Sequence, residues 1–113
     1  MNIDFLHILI ESKSTVYEET QKYKNNGFSL DVIIDNSTCY RAILNWSNCM
    51  GELLIEKNDF SPYRYVSFKI VSIDSKNENI LYCWYDSEGD SLEVVKQKII
   101  EGIKIGDNYN PVV

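Results

Sequence analysis

The sequence predicts an α+β fold: an N-terminal helix, an antiparallel sheet of about five strands in a meander, and a C-terminal helix, with both helices on one sheet face. Three observations predict it. Apolar residues recur at helical spacing near both ends of the chain and alternate in between. Short polar stretches separate the alternating runs, and such connections join neighbouring strands antiparallel. Each predicted helix has one apolar stripe, which suits a layer laid on a sheet. The 113 residues make a single domain over 1–113, large enough to bury a core.

The first helix is predicted over residues 3–25. Phe5, Leu6, Leu9, Val16 and Tyr23 fall near helical spacing, and Asn2 or Asp4 suits the N-cap. Ser12-Lys13-Ser14-Thr15 competes for backbone hydrogen bonds and predicts a kink or break. Asn25-Asn26-Gly27 is a stop signal.

The period then changes. Phe28, Leu30, Val32 and Ile34 alternate with Ser29, Asp31 and Asp35, predicting a half-buried strand. Asp35-Asn36-Ser37 marks a turn. A second strand over 39–46 puts Tyr40, Ala42, Leu44 and Trp46 on one face, and Ser47-Asn48 supplies the next turn. A third, over 50–57, sets Leu53 and Ile55 opposite Glu52, Leu54 and Glu56. Asn58-Asp59 and Ser61-Pro62 predict a longer connection. A fourth strand over 64–73 carries Val66, Phe68 and Ile70 on one face, and residues 74–79 form a polar turn. The fifth, over 80–85, is apolar on both faces, a pattern that predicts a central or doubly covered strand.

The loop Asp86-Ser87-Glu88-Gly89-Asp90-Ser91 leads into the last helix. Asp90 or Ser91 suits its N-cap, and Leu92, Val95, Ile99 and Ile103 form its stripe. Gly106 is predicted to end it, with 106–113 a loose tail.

With 17 acids against 11 bases the net charge is −6. Direct binding to nucleic acid or an anionic membrane is disfavoured, because both need Lys and Arg to neutralise phosphate. A basic protein partner fits better, although such a charge also simply keeps a small domain soluble. Cys39, Cys49 and Cys83 are odd in number and form no CxxC pair, which predicts neither a disulfide framework nor a zinc site. The apolar run at 5–10 is short, is interrupted by His7 and lacks a basic lead. It reads as neither signal peptide nor membrane span, so a cytoplasmic protein is expected, with reduced thiols.

Catalytic chemistry is hard to assemble. His7 is the single histidine, so no Ser-His-Asp or Cys-His arrangement has local support, and a helix histidine satisfied by a neighbour is the simpler reading. Glu18 with Glu19, Glu52 with Glu56, and Asp86 with Glu88 and Asp90 are the candidate carboxylate clusters. The loop at 86–90 lacks calcium-loop spacing, and capping explains its acids more simply. The scattered glycines build no phosphate cradle. No catalytic residues, cofactor or metal are predicted.

What stands out is a sheet rich in acids and aromatics, with one face turned from the helices. That face is expected to carry Asp31, Ile33, Asp35, Glu52, Leu54 and Glu56, with either Tyr82 and Trp84 or their neighbours. The candidate partner-binding residues are Asp31, Asp35, Glu52, Glu56, Tyr82 and Trp84, aromatic anchors ringed by acids. The competing reading places Tyr82 and Trp84 in the core and leaves the acids as a solvated face.

The Trp46-Ser47 turn leading into Gly51-Glu52-Leu53, with the Tyr82, Trp84 and Tyr85 strand before the last helix, resembles the TriTu family of bacterial immunity proteins. The family has Trp, Ser and Gly close together, whereas Asn48, Cys49 and Met50 lengthen the turn here. The resemblance implies a small α+β protein that binds a cognate toxin domain of a polymorphic or contact-dependent system; the chain itself is expected to be a monomer or weak homodimer. Such toxins include nucleases with basic clefts, which an acidic inhibitor complements. The alternatives are an adaptor or regulatory module of a bacterial or phage system, recognisable from its gene neighbourhood, and a small hydrolase using carboxylates alone.

Overall fold

The computed structural model describes residues 4–23, 27–57, 63–73 and 79–110. Helix α1 (Phe5–Thr20) precedes strands β1 (Ser29–Asp35), β2 (Cys39–Asn45), β3 (Cys49–Glu56), β4 (Val66–Ser72) and β5 (Ile80–Tyr85), and helix α2 (Leu92–Asn108) follows. The strands form one antiparallel sheet in the order β1-β2-β3-β4-β5, a pure meander. Both helices lie on one face, as the single apolar stripe of each requires.

Asp4 caps α1 by accepting a hydrogen bond from the His7 amide at 2.9 Å. The expected break at 12–15 is absent, and α1 is continuous. Thr15 and Thr20 face inward and donate to the carbonyls of Glu11 and Val16, at 2.8 and 2.7 Å. Those bonds satisfy the hydroxyls within the helix instead of competing with it. The helix ends at Thr20, short of the expected 25. Asn2, Asn25 and Asn26 lie outside the described residues, as do the connection at 58–62, the turn at 74–78 and the tail at 111–113. Gly27 has φ +77°, the left-handed backbone that favours glycine.

Alternation decides the core of the middle strands. Tyr40, Ala42 and Leu44 of β2, Leu53 and Ile55 of β3, and Val66, Phe68 and Ile70 of β4 are buried on the helix side. α1 adds Phe5, Ile8, Leu9 and Val16, and α2 adds Val95, Ile99 and Ile103.

α2 corrects the expected tail. It runs through Gly106 to Asn108, with Ser91 as N-cap. Gly102 and Gly106 sit one turn apart on its buried face. A Cβ at Gly102 would come within 2.5 Å of the Phe68 ring, and one at Gly106 within 2.5 Å of the Trp46 ring. Both glycines therefore let the helix backbone close onto aromatic rings, and neither terminates it. β5 is a second correction. It is an edge strand beside β4, not a central one, and α2 covers one of its faces, so the outward apolar residues Ile80 and Tyr85 stay exposed.

Candidate protein-interaction surface

The face turned from the helices can be read row by row from the strand register. One row holds Ile34, Arg41, Leu54, Ser67 and Tyr85; the next holds Asp31, Ile43, Glu52, Lys69 and Cys83; a third holds Ser29, Asn45, Met50, Val71 and Ile80. Glu56 lies opposite Cys39 at one end. A charged middle row is thus flanked by two largely apolar rows. Ile80 and Tyr85 are 62% and 50% exposed, and Tyr63 stacks on Tyr85 with ring centroids 5.0 Å apart.

Asp31, Glu52 and Glu56 lie on this face as the alternation predicts. Arg41 Nε donates to Glu52 Oε2 at 2.7 Å, and Asn45 Nδ2 to Asp31 Oδ2 at 3.0 Å. The Arg41–Glu52 pair is solvent-exposed on both sides, so it adds little to stability. Arg41 and Lys69 stand beside the expected acids and make the face mixed in charge.

Asp35 is a correction. The β1–β2 ladder shifts register between Val32 and Ile34, so Ile34 lies opposite Arg41 and Asp35 opposite Tyr40. One extra residue reverses the alternation. Asp35 therefore lies on the helix side, where Lys13 Nζ approaches it at 2.7 Å. Lys13 also stands over the Tyr40 ring, at 5.9 Å from its centroid. Burial, and to a lesser degree the Asp35 charge, raise the Tyr40 pKa.

Tyr82 and Trp84 are the second correction. They lie opposite Ile70 and Phe68 on the helix side and pack half-buried against the core. Tyr82 donates from its hydroxyl to the Lys98 carbonyl at 2.8 Å and meets Phe68 edge-on. Burial pushes its pKa well above the ordinary phenol value. The outward-facing neighbours are Cys83 and Tyr85.

The other acids resolve into structural roles. Asp86 has a fully buried carboxylate, which accepts from the Tyr65 and Val66 amides at 2.7 and 2.8 Å and from Arg64 Nε at 2.9 Å. Arg64 also donates to the Asp90 carbonyl. The cluster fastens the end of β5 and the loop into α2 to the start of β4. Sequence reasoning missed it, because Arg64 and Asp86 are distant in the chain; an Arg at one strand start and an Asp at the end of the next was its only signal. Glu19 is buried and accepts from the exposed Lys22 at 2.9 Å, while Glu18 points to solvent. His7 lies 3.2 Å from Asp4, and the backbone amide of His7 is the main cause of the lowered Asp4 pKa.

Among the described residues no group of three or more His, Cys, Asp or Glu side chains could hold a metal ion, and no helix is long and apolar enough to cross a membrane. None of the three cysteines forms a disulfide, and the buried Cys49 thiol donates to the Gly106 carbonyl at 3.3 Å. Three surface hollows border Glu101, Asp107 and Asp4 respectively, one acid each, so none of these offers the paired carboxylates of a hydrolase. Compared with known proteins, the sequence matches no family model and no curated protein, and the fold matches no solved structure.

Proposed function

We propose that this chain is an immunity protein, which binds a cognate bacterial toxin domain and occludes its active site or substrate surface. One observation carries the protein-binding half of that reading: among the described residues the five-stranded sheet has helices on one face only, and its other face mixes exposed apolar and charged side chains. Five strands of about seven residues present roughly 19 by 23 Å. That footprint is a large share of the about 800 Å² each partner gives to a standard interface. Leu54, Met50 and Tyr85 supply apolar anchors, and the row of Asp31, Glu52 and Lys69, with Arg41 reaching Glu52 from the next row, supplies polar specificity. The resemblance to TriTu proteins supports the toxin as partner, and the net charge of −6 suits a basic one.

The test is co-expression with the toxin domain encoded directly upstream. The expected result is a nanomolar complex and protection of the host cell. Leu54→Arg and Tyr85→Asp each weaken that complex by about thirtyfold or more while leaving the fold intact. A toxin domain that is neither bound nor neutralised overturns the proposal.

A further inference from the structure

β1 stands apart on this surface, because apart from half-buried Leu30 every one of its residues is exposed. Val32, Ile33 and Ile34 are 46%, 55% and 37% exposed, three large apolar residues in succession on an edge strand. A run of that kind costs solubility and invites association, so it is expected only where it serves a purpose. Asp31 and Asp35 bracket the triplet, one on each side of the sheet. Asp31 is held by the neutral Asn45, and Asp35 remains half-exposed despite its ion pair with Lys13.

We infer that β1 is a docking strand, and that its occupant is an extended segment of another protein in which Lys or Arg flanks a short apolar run at both ends. The inference rests on the protein-binding reading above and adds to it a place and a partner chemistry. The charge pattern selects the occupant. A second copy of this chain would bring two further aspartates to the seam and set a charge of −6 against −6. A basic segment would instead meet Asp31 and Asp35 with opposite charge on either side of an apolar contact. The register shift at Ile33 interrupts the strand, so regular backbone pairing with an added strand extends over Ser29–Val32 at most. Such an irregularity blunts indiscriminate strand stacking and leaves recognition to the side chains.

The test uses the full chain with labelled Ile and Val methyl groups, titrated by nuclear magnetic resonance with short acetylated peptides. One peptide, Lys-Leu, sets a Lys at each end of a short Leu run, one, Glu-Leu, has Glu in place of Lys, and one, Lys-Ser, has Ser in place of Leu. The Lys-Leu peptide is expected to shift the methyls of Val32, Ile33 and Ile34 saturably, and more weakly as salt rises. The other two peptides should leave those methyls unmoved. Ile33→Lys, at an exposed site outside the core, should weaken Lys-Leu binding by about tenfold or more, as loss of one apolar contact implies. Val32→Thr provides a second, milder weakening. Saturable shifts centred on Ile43 and Ile80, or on Ile10 of α1, overturn β1 as the docking strand while leaving the protein-binding reading in place. Equal shifts with the Glu-Leu peptide overturn the basic partner. Shifts that grow with protein concentration alone assign β1 to a second copy, and absence of any shift at β1 also overturns the inference. Failure of the proposed function shows separately, as a toxin domain that is not bound.

Discussion

β1 and β5 are both edge strands, and both depart from regular pairing: β1 between Val32 and Ile34, β5 where it faces Ile70 and Val71. They end in opposite conditions. β5 turns Tyr82 and Trp84 under α2, ties Tyr82 to the helix backbone and ends on the buried Asp86. β1 meets the helix layer mainly through Leu30 and the exposed Lys13–Asp35 ion pair. The cause is the placement of the helices. α2 lies over β3, β4 and β5, and α1 packs against α2 and over β2, so the layer stops short of β1. Exposure of an edge strand is therefore set by the reach of its cover, not by its own composition.

Four substitutions break or sharpen that contrast, and denaturant unfolding reads each of them. Asp86→Ala should have the largest effect, about 3–5 kcal/mol. It strands the nearly buried Arg64 and leaves the Tyr65 and Val66 amides without their acceptor. A loss below about 1 kcal/mol would mean that the clamp does not hold β5 in place. Gly102→Ala should follow, at about 1–3 kcal/mol, because its Cβ meets the Phe68 and Tyr82 rings within 2.9 Å. An unchanged midpoint would show that α2 can shift away from the sheet at little cost.

Tyr82→Phe should cost about 1 kcal/mol near neutral pH through loss of the hydrogen bond to Lys98. Its sign with pH is fixed by the raised pKa. The folded protein holds the phenol proton more tightly than the unfolded chain, whose pKa is near the ordinary phenol value of 10.0. The stability Tyr82 contributes is complete below that pH and falls as pH rises above it. Wild type should therefore lose its advantage over Tyr82→Phe in alkaline solution, and a constant difference would count against the buried phenol. Ile33→Lys should have the smallest effect, within about 0.5 kcal/mol, because the side chain is exposed. A large loss there would mean that β1 is held as firmly as β5.

Parts of the candidate surface were legible in the chain because alternation is unbroken there. Glu52 and Glu56 flank Leu54 on β3, whose ladders are regular, and they face outward as their spacing implies. Asp35 was not legible, since one unpaired residue in β1 reversed its direction and the segment Val32-Ile33-Ile34 gives no sign of where such a residue sits. Tyr82 and Trp84 share a face, as their spacing requires, but Leu81, Cys83 and Tyr85 make the opposite face nearly as apolar. Composition alone could not choose between the two faces.

The sequence by itself determined the order of elements, the meander and the buried faces of β2, β3 and β4. Those follow from local periodicity and short connections, which act within a few residues. Only the tertiary structure decided which strands are edges, which edge α2 covers, and that Gly106 lies beneath Trp46 inside a helix that continues past it. These depend on where helices come to rest on a twisted sheet and on single-residue shifts of register. Both are fixed by packing between segments far apart in the chain, so no local pattern encodes them.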